Sequence, residues 1–190
     1  MERSAVMDRG LTMTPNQGSG PAGAAVTQRA VKSLYTPEQR VRRDATRWTL
    51  VQGILAPIQF LVFAVSVVLV LRSLRTGEGT LAAHVSIIVK TLLLYTIMVT
   101  GAIWEKVVFG QYLFADAFFW EDVVSFVVIT LHTIYLGGLL TGGLSTKALF
   151  LVALSAYAVY AVNAVQFVLK LRAARLQEAR DAAQRSSVAA

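Results

Sequence analysis

The sequence predicts an all-α, polytopic membrane protein with four transmembrane helices. Three observations carry that expectation. Apolar residues make up 55% of the 190-residue chain and charged residues only 15%, well below the quarter or so typical of a soluble domain. The apolar residues fall into four long runs, each near the ~20 residues that span a bilayer as a helix. Cations gather beside those runs rather than along one face: Arg29, Lys32, Arg40, Arg42, Arg43 and Arg47 before the first, and Lys170, Arg172, Arg175, Arg180 and Arg185 after the last. The net charge of +7 therefore reads as flanking charge of membrane spans. No base-reading or stacking motif accompanies it, so nucleic acid is not expected as a partner.

Residues 1–34 are rich in Gly, Ala, Ser, Thr and Pro and lack an apolar period, so a disordered tail is expected. With no apolar stretch near the start, no secretory signal is expected either. Thr36, Pro37 and Gln39 have the spacing of a helix N-terminus with a capping box, which predicts a short basic helix on the membrane surface. The first span runs from about Trp48 to Leu71, with Pro57 an expected kink. The second covers Leu81 to Trp104, extendable to Phe109 with Gly110 as its stop. The third runs from Phe118 to Leu140, closed by Thr141-Gly142-Gly143, and the fourth from Ala148 to Leu169. The predicted membrane domain is thus 35–172, followed by a basic amphipathic, flexible tail over 173–190. With both termini cytoplasmic, that side holds both basic clusters and Lys106, against Arg72, Arg75 and Lys147 outside. The cation bias sets this orientation and turns the segment from Trp104 to Asp122 toward the cytoplasm.

Composition removes several chemistries. There is no Cys, hence no disulfide, thiolate nucleophile or Cys-held metal, and two His do not make a three-His metal site. Ionisable groups within or beside spans are costly and need partners or a task. They are densest between Trp104 and Asp122, where Glu105, Asp116, Glu121 and Asp122 are interleaved with aromatic rings. Part of this is the usual interfacial aromatic belt. Glu105, however, falls at the C-terminal end of a helix, where the dipole disfavours an anion, while Glu121 and Asp122 begin the next, where it favours one. Such opposed environments make Glu105 the candidate acid and Glu121 or Asp122 the candidate base. His132 lies eleven residues after Glu121, at nearly the same helical angle, with Ser125 between. It is read either as bonded to another helix or as a ligand to a pigment metal. His84 is expected near the far interface. Lys90 is too deep to reach water and is expected to pair with Gln52, Gln59, Asn163 or Gln166.

Tyr35-Thr36-Pro37-Glu38-Gln39-Arg40, Trp48-Thr49-Leu50-Val51-Gln52-Gly53, the run from Val89 to Tyr112, and Phe118-Phe119-Trp120-Glu121-Asp122-Val123 together resemble the 3-vinyl bacteriochlorophyllide hydratases of bacteriochlorophyll biosynthesis. The likeness covers about residues 35–170. It implies a hydro-lyase of a bacterial inner membrane that adds water to the C3-vinyl group of chlorophyllide a or a 3-vinyl bacteriochlorophyllide without a redox cofactor. It also implies a tetrapyrrole substrate, a lipid environment and neighbouring pathway enzymes as partners. Matched to that chemistry, Glu105 protonates the vinyl group and Glu121 or Asp122 activates water. Trp104, Tyr112, Phe119 and Trp120 stack on the macrocycle, Lys106 holds its propionate, Gln111 lines the site and His132 approaches the substrate magnesium. The rival from another class is a tetrapyrrole carrier or assembly factor, which needs the rings and not the carboxylates.

Overall fold

The computed structural model describes residues 34–188, and the expected tail over residues 1–33 lies outside them. Five helices follow in order: α1 (Pro37–Ala45), α2 (Arg47–Thr76), α3 (Thr80–Phe109), α4 (Phe119–Thr141) and α5 (Thr146–Val188), with no strand among the described residues. Four of them, α2 to α5, are long and apolar enough to cross a membrane. The α2–α3 and α4–α5 hairpins pack most extensively, while the seams between hairpins are sparser.

The helix ends follow local chemistry. Thr36 Oγ1 accepts from Gln39 N–H at 3.3 Å and Gln39 Oε1 accepts from Thr36 N–H at 2.9 Å, which closes the predicted capping box. Gly77, Gly110 and Gly142 end α2, α3 and α4 in the left-handed conformation, where a side chain would be strained. Helix α2 continues through Pro57. The stretch 173–190, expected as an amphipathic tail, is helical as far as Val188 in direct continuation of α5. It carries Glu178 and Asp181 back to α1, where Arg43 meets Glu178 at 2.8 Å and Arg40 meets Asp181 at 3.4 Å. Tyr35 is buried beneath, with the Arg43 guanidinium 4.8 Å from its ring centroid. Burial pushes its hydroxyl up to about 12, and Arg43 offsets only part of that.

The bundle is apolar outside and polar inside. Only 17–33% of each apolar helical window is buried, and rings and branched chains such as Phe60, Leu61, Val68, Leu92 and Val99 face outward. The interior instead holds Gln59, Ser66, Lys90, Thr91, Ser125, His132 and Asn163. Lys90 Nζ donates to Gln59 Oε1 and sits 3.5 Å from the Tyr160 ring centroid, so of its four possible partners the structure selects Gln59. At the end away from α1, Ser66 Oγ joins Tyr157 Oη at 2.6 Å and Ser86 Oγ at 2.7 Å, and His84 Nδ1 meets Tyr135 Oη at 2.6 Å. Around these pack Val70, Ile87, Phe150 and Ala153. Where lipid surrounds a bundle, such bonds fix the rotation of each helix, because apolar faces alone do not prefer protein to lipid.

The Ser66 junction yields a stability prediction. Ser66→Ala orphans the buried Tyr157 hydroxyl and should lower stability by about 1–3 kcal/mol. Tyr157→Phe added to it should cost less than the two single changes summed. Thermal unfolding of the four proteins in one detergent checks this cycle, and strict additivity would show that the bond contributes nothing.

Candidate functional site

The connection between α3 and α4 builds the site. After the left-handed Gly110, the Lys106 ammonium donates to Gly110 O at 2.7 Å and closes the end of α3. The chain then turns through Phe114, which adopts φ +59°, a conformation that bulky side chains rarely take. The consequence is directional. Phe114 N–H donates to Asp122 Oδ2 at 2.6 Å and the next N–H, of Ala115, donates to Glu105 Oε2 at 3.3 Å. Consecutive amides aimed at anions form a concavity of the kind that binds oxyanions elsewhere. Here each of two consecutive amides holds one carboxyl, which brings Glu105 and Asp122 side by side. Two buried acids that close are costly to ionise together. Glu105 ends α3 and Asp122 begins α4, and both are about 95% buried.

Glu121, adjacent in sequence and equally buried, has a different partner. It is ion-paired with Lys170 of α5, which also donates to Ala117 O. Lys170 supplies the counter-charge at the start of α4 and ties α5 to the loop.

Of the residues singled out from sequence, Glu105, Asp122 and Glu121 come together. His132 shares their buried face of α4 but lies nearly three turns deeper. It is fully enclosed, and its Nδ1–H donates to Val128 O at 2.8 Å. Trp104 donates to Thr49 Oγ1 of α2 at 2.9 Å. It packs edge-on against Phe109 and Phe118 in an aromatic cluster that includes Tyr35 and Phe167. Lys106, Gln111 and Tyr112 form an exposed patch at the loop, with Lys106 Nζ 5.3 Å from the Tyr112 ring centroid. Trp120 is exposed and edge-on to Phe119, which in turn meets Phe114 at 5.7 Å.

Sequence reasoning missed Phe114. A Phe in the left-handed region has no local sequence signal, since Gly, Asn and Asp are the residues that favour it. Its ring stacks on Phe126 at 5.4 Å and 13°. Together with Val123, Phe126, Val127, Thr130 and Leu131 it lines an apolar groove of about 480 Å³ along the outer face of α4. Backbone and side chain of one residue thus link the carboxyl pair to the groove.

The fold is thus a helical membrane-type bundle with two buried carboxyls side by side at one end, joined through Phe114 to an apolar groove. The chain belongs to the 2-vinyl bacteriochlorophyllide hydratase family, whose model matches residues 35–173, and it is accordingly a hydro-lyase. It is 70% identical over 148 residues to the 2-vinyl bacteriochlorophyllide hydratase of Rhodobacter capsulatus, a match covering 78% of this chain and 86% of that protein. It is equally similar over 148 residues to the 2-vinyl bacteriochlorophyllide hydratase of Cereibacter sphaeroides, covering 76% and 90%. No solved structure matches.

The two roles of Phe114 separate by substitution. Phe114→Gly permits the same backbone and keeps the N–H while removing the ring, so KM should rise with kcat nearly unchanged. Phe114→Val resists the left-handed backbone, so kcat should fall about tenfold or more as Asp122 loses a charge-assisted bond. Steady-state kinetics with bacteriochlorophyllide substrate checks the split, and equal effects from both variants would refute it.

Proposed function

We propose that this chain hydrates the C3-vinyl group of chlorophyllide a or a 3-vinyl bacteriochlorophyllide to a 1-hydroxyethyl group, with the Glu105–Asp122 pair as its proton donor and acceptor. The observation that carries this reading is the pair of consecutive N–H groups, of Phe114 and Ala115, that hold the carboxyls of Asp122 and Glu105 side by side, next to the groove that Phe114 lines. In this reading Glu105 is the proton donor of the pair and Asp122 the acceptor. The end of α3 disfavours an anion on Glu105, whereas the start of α4 and the shorter backbone bond favour one on Asp122.

Glu105 gives this proton to the terminal vinyl carbon, which becomes a methyl group. The positive charge left on the ring-adjacent carbon spreads into the macrocycle. Water adds to that carbon, and its surplus proton passes to the carboxyl pair, which ends with the single proton it began with. One water enters the product and no electrons are exchanged, so the reaction needs no redox cofactor. The dianionic pair formed after the first transfer is stabilised by the amides of Phe114 and Ala115, already in place before the reaction.

The macrocycle lies against the α4 groove, where a flat apolar ring has aromatic and branched walls and few polar groups to desolvate. The exposed Lys106–Tyr112 patch and Trp120 at the same end of the bundle receive its anionic edge. That end faces the cytoplasm of the bacterial inner membrane, as the cation bias requires. Substrate arrives there from the preceding enzyme of the pathway. A ligand role for His132 toward the substrate magnesium requires its ring to leave the interior.

Glu105→Gln and Asp122→Asn should each lower kcat by about 10²–10⁴-fold. The double variant should be little worse than either single one, because the pair acts as a unit. Glu121→Gln should be milder. Membranes carrying each variant are incubated with chlorophyllide a without nucleotide, and the product heavier by one water is followed by mass and by its blue-shifted red absorption band. Full activity in Glu105→Gln would sink the acid assignment. Pigment bound but unchanged by the unsubstituted protein would favour the carrier.

A further inference from the structure

Polar atoms buried without a hydrogen-bond partner, among the described residues of α2 to α5, are Gln59 Nε2, His132 Nε2, Asn163 Oδ1 and Gln166 Oε1. They form a column. Gln59 uses its other amide atom on Lys90, and Lys90 lies over Tyr160. From Tyr160, the same stripe of α5 carries Asn163, Gln166 and Lys170 at intervals of three or four residues, about one turn each. Lys170 holds Glu121 beside the carboxyl pair, and Asn163 donates to Ser125 Oγ of α4 at 2.7 Å, one turn from Glu121 and Asp122.

The chemistry of these atoms selects a ligand. His132 Nε2 is an acceptor, because Nδ1–H is committed to Val128 O, and Asn163 Oδ1 and Gln166 Oε1 are acceptors as well. Gln59 Nε2 and the remaining protons of Lys90 are donors. An anion satisfies the donors and leaves three acceptors orphaned, while a metal cation satisfies the acceptors and leaves the donors orphaned. Water alone both donates and accepts, and buried water characteristically completes such groups. We propose that the bundle interior between Lys90 and Glu105–Asp122 holds a file of bound water that supplies the reacting water molecule. This rests on the hydration reaction proposed above. It places water on the interior side of the carboxyl pair and pigment on the lipid side, so the two reactants reach the pair by separate routes.

The test uses the full chain in detergent micelles, with hydroxyl radicals generated from H₂¹⁸O so that the label is water-derived. After correction for intrinsic reactivity, the buried His132 should be labelled well above the equally buried Tyr135 and Tyr157, whose hydroxyls are bound by His84 and Ser66. Asn163→Leu should reduce that labelling and lower kcat about tenfold, as for a lost ordered water, with the pigment Kd unchanged. Gln166→Leu, at a less buried site that leaves the Asn163–Ser125 bond in place, should act likewise and serves if Asn163→Leu fails to fold. Labelling of His132 no stronger than that of Tyr135 and Tyr157 would overturn the water file. Unchanged kcat in folded Gln166→Leu would overturn its supply role. Pigment bound but never hydrated by the unsubstituted protein would remove the hydratase mechanism, and the labelling would still decide whether the column holds water.

Discussion

Two carboxyl groups from different helices, buried side by side, set the terms for the rest of this molecule. Such a pair is costly unless it holds a single proton and its remaining oxygens are bonded. The loop between α3 and α4 meets that requirement. Its left-handed residue, Phe114, turns two successive amides onto Asp122 and Glu105. The seam between α3 and α4 is otherwise thin, so this contact fixes where the start of one helix lies against the end of the other. The neighbouring Glu121 is neutralised from α5 by Lys170, which keeps a third negative charge from loading the pair.

Around that point the aromatic residues divide their work. Trp104, Phe109, Phe118, Phe167 and Tyr35 pack into a solid cluster under α1, which holds the α3 terminus rigid. Phe114 and Phe126 instead face outward as walls of the groove. The long α5 contributes to both ends of this arrangement. Its Lys170 reaches the α3–α4 loop, and two turns further on its acidic residues fasten α1 through Arg40 and Arg43. Partly exposed ion pairs of that kind contribute modestly one at a time, but they dock a helix whose preceding Tyr35 is already buried.

The interior polarity has the same logic over a longer distance. Hydrocarbon surroundings give no apolar drive for helix association, so hydrogen bonds and close packing decide which helix faces meet. Ser66 with Tyr157, Ser125 with Asn163 and Gln59 with Lys90 each tie a helix of one hairpin to a helix of the other, or close a hairpin internally. The polar column therefore belongs to the assembly of the bundle as much as to the supply of water.

The four spans, their glycine stops at Gly110 and Gly142, the Thr36–Gln39 capping box and the shared face of Glu121, Ser125 and His132 were all legible in the sequence. Each is set by bilayer thickness, by local backbone chemistry or by the 3.6-residue period, and none depends on a neighbouring helix. Membership of the hydratase family was legible too, from runs of residues. The pairing of Glu105 with Asp122, the selection of Gln59 for Lys90, the turning of Trp104 toward Thr49 and the groove under Phe114 were decided by tertiary structure. Helical spacing gives the angle of a side chain around its own axis, whereas these contacts depend on the rotation and depth of adjacent helices and on one unfavourable backbone conformation that packing alone sustains.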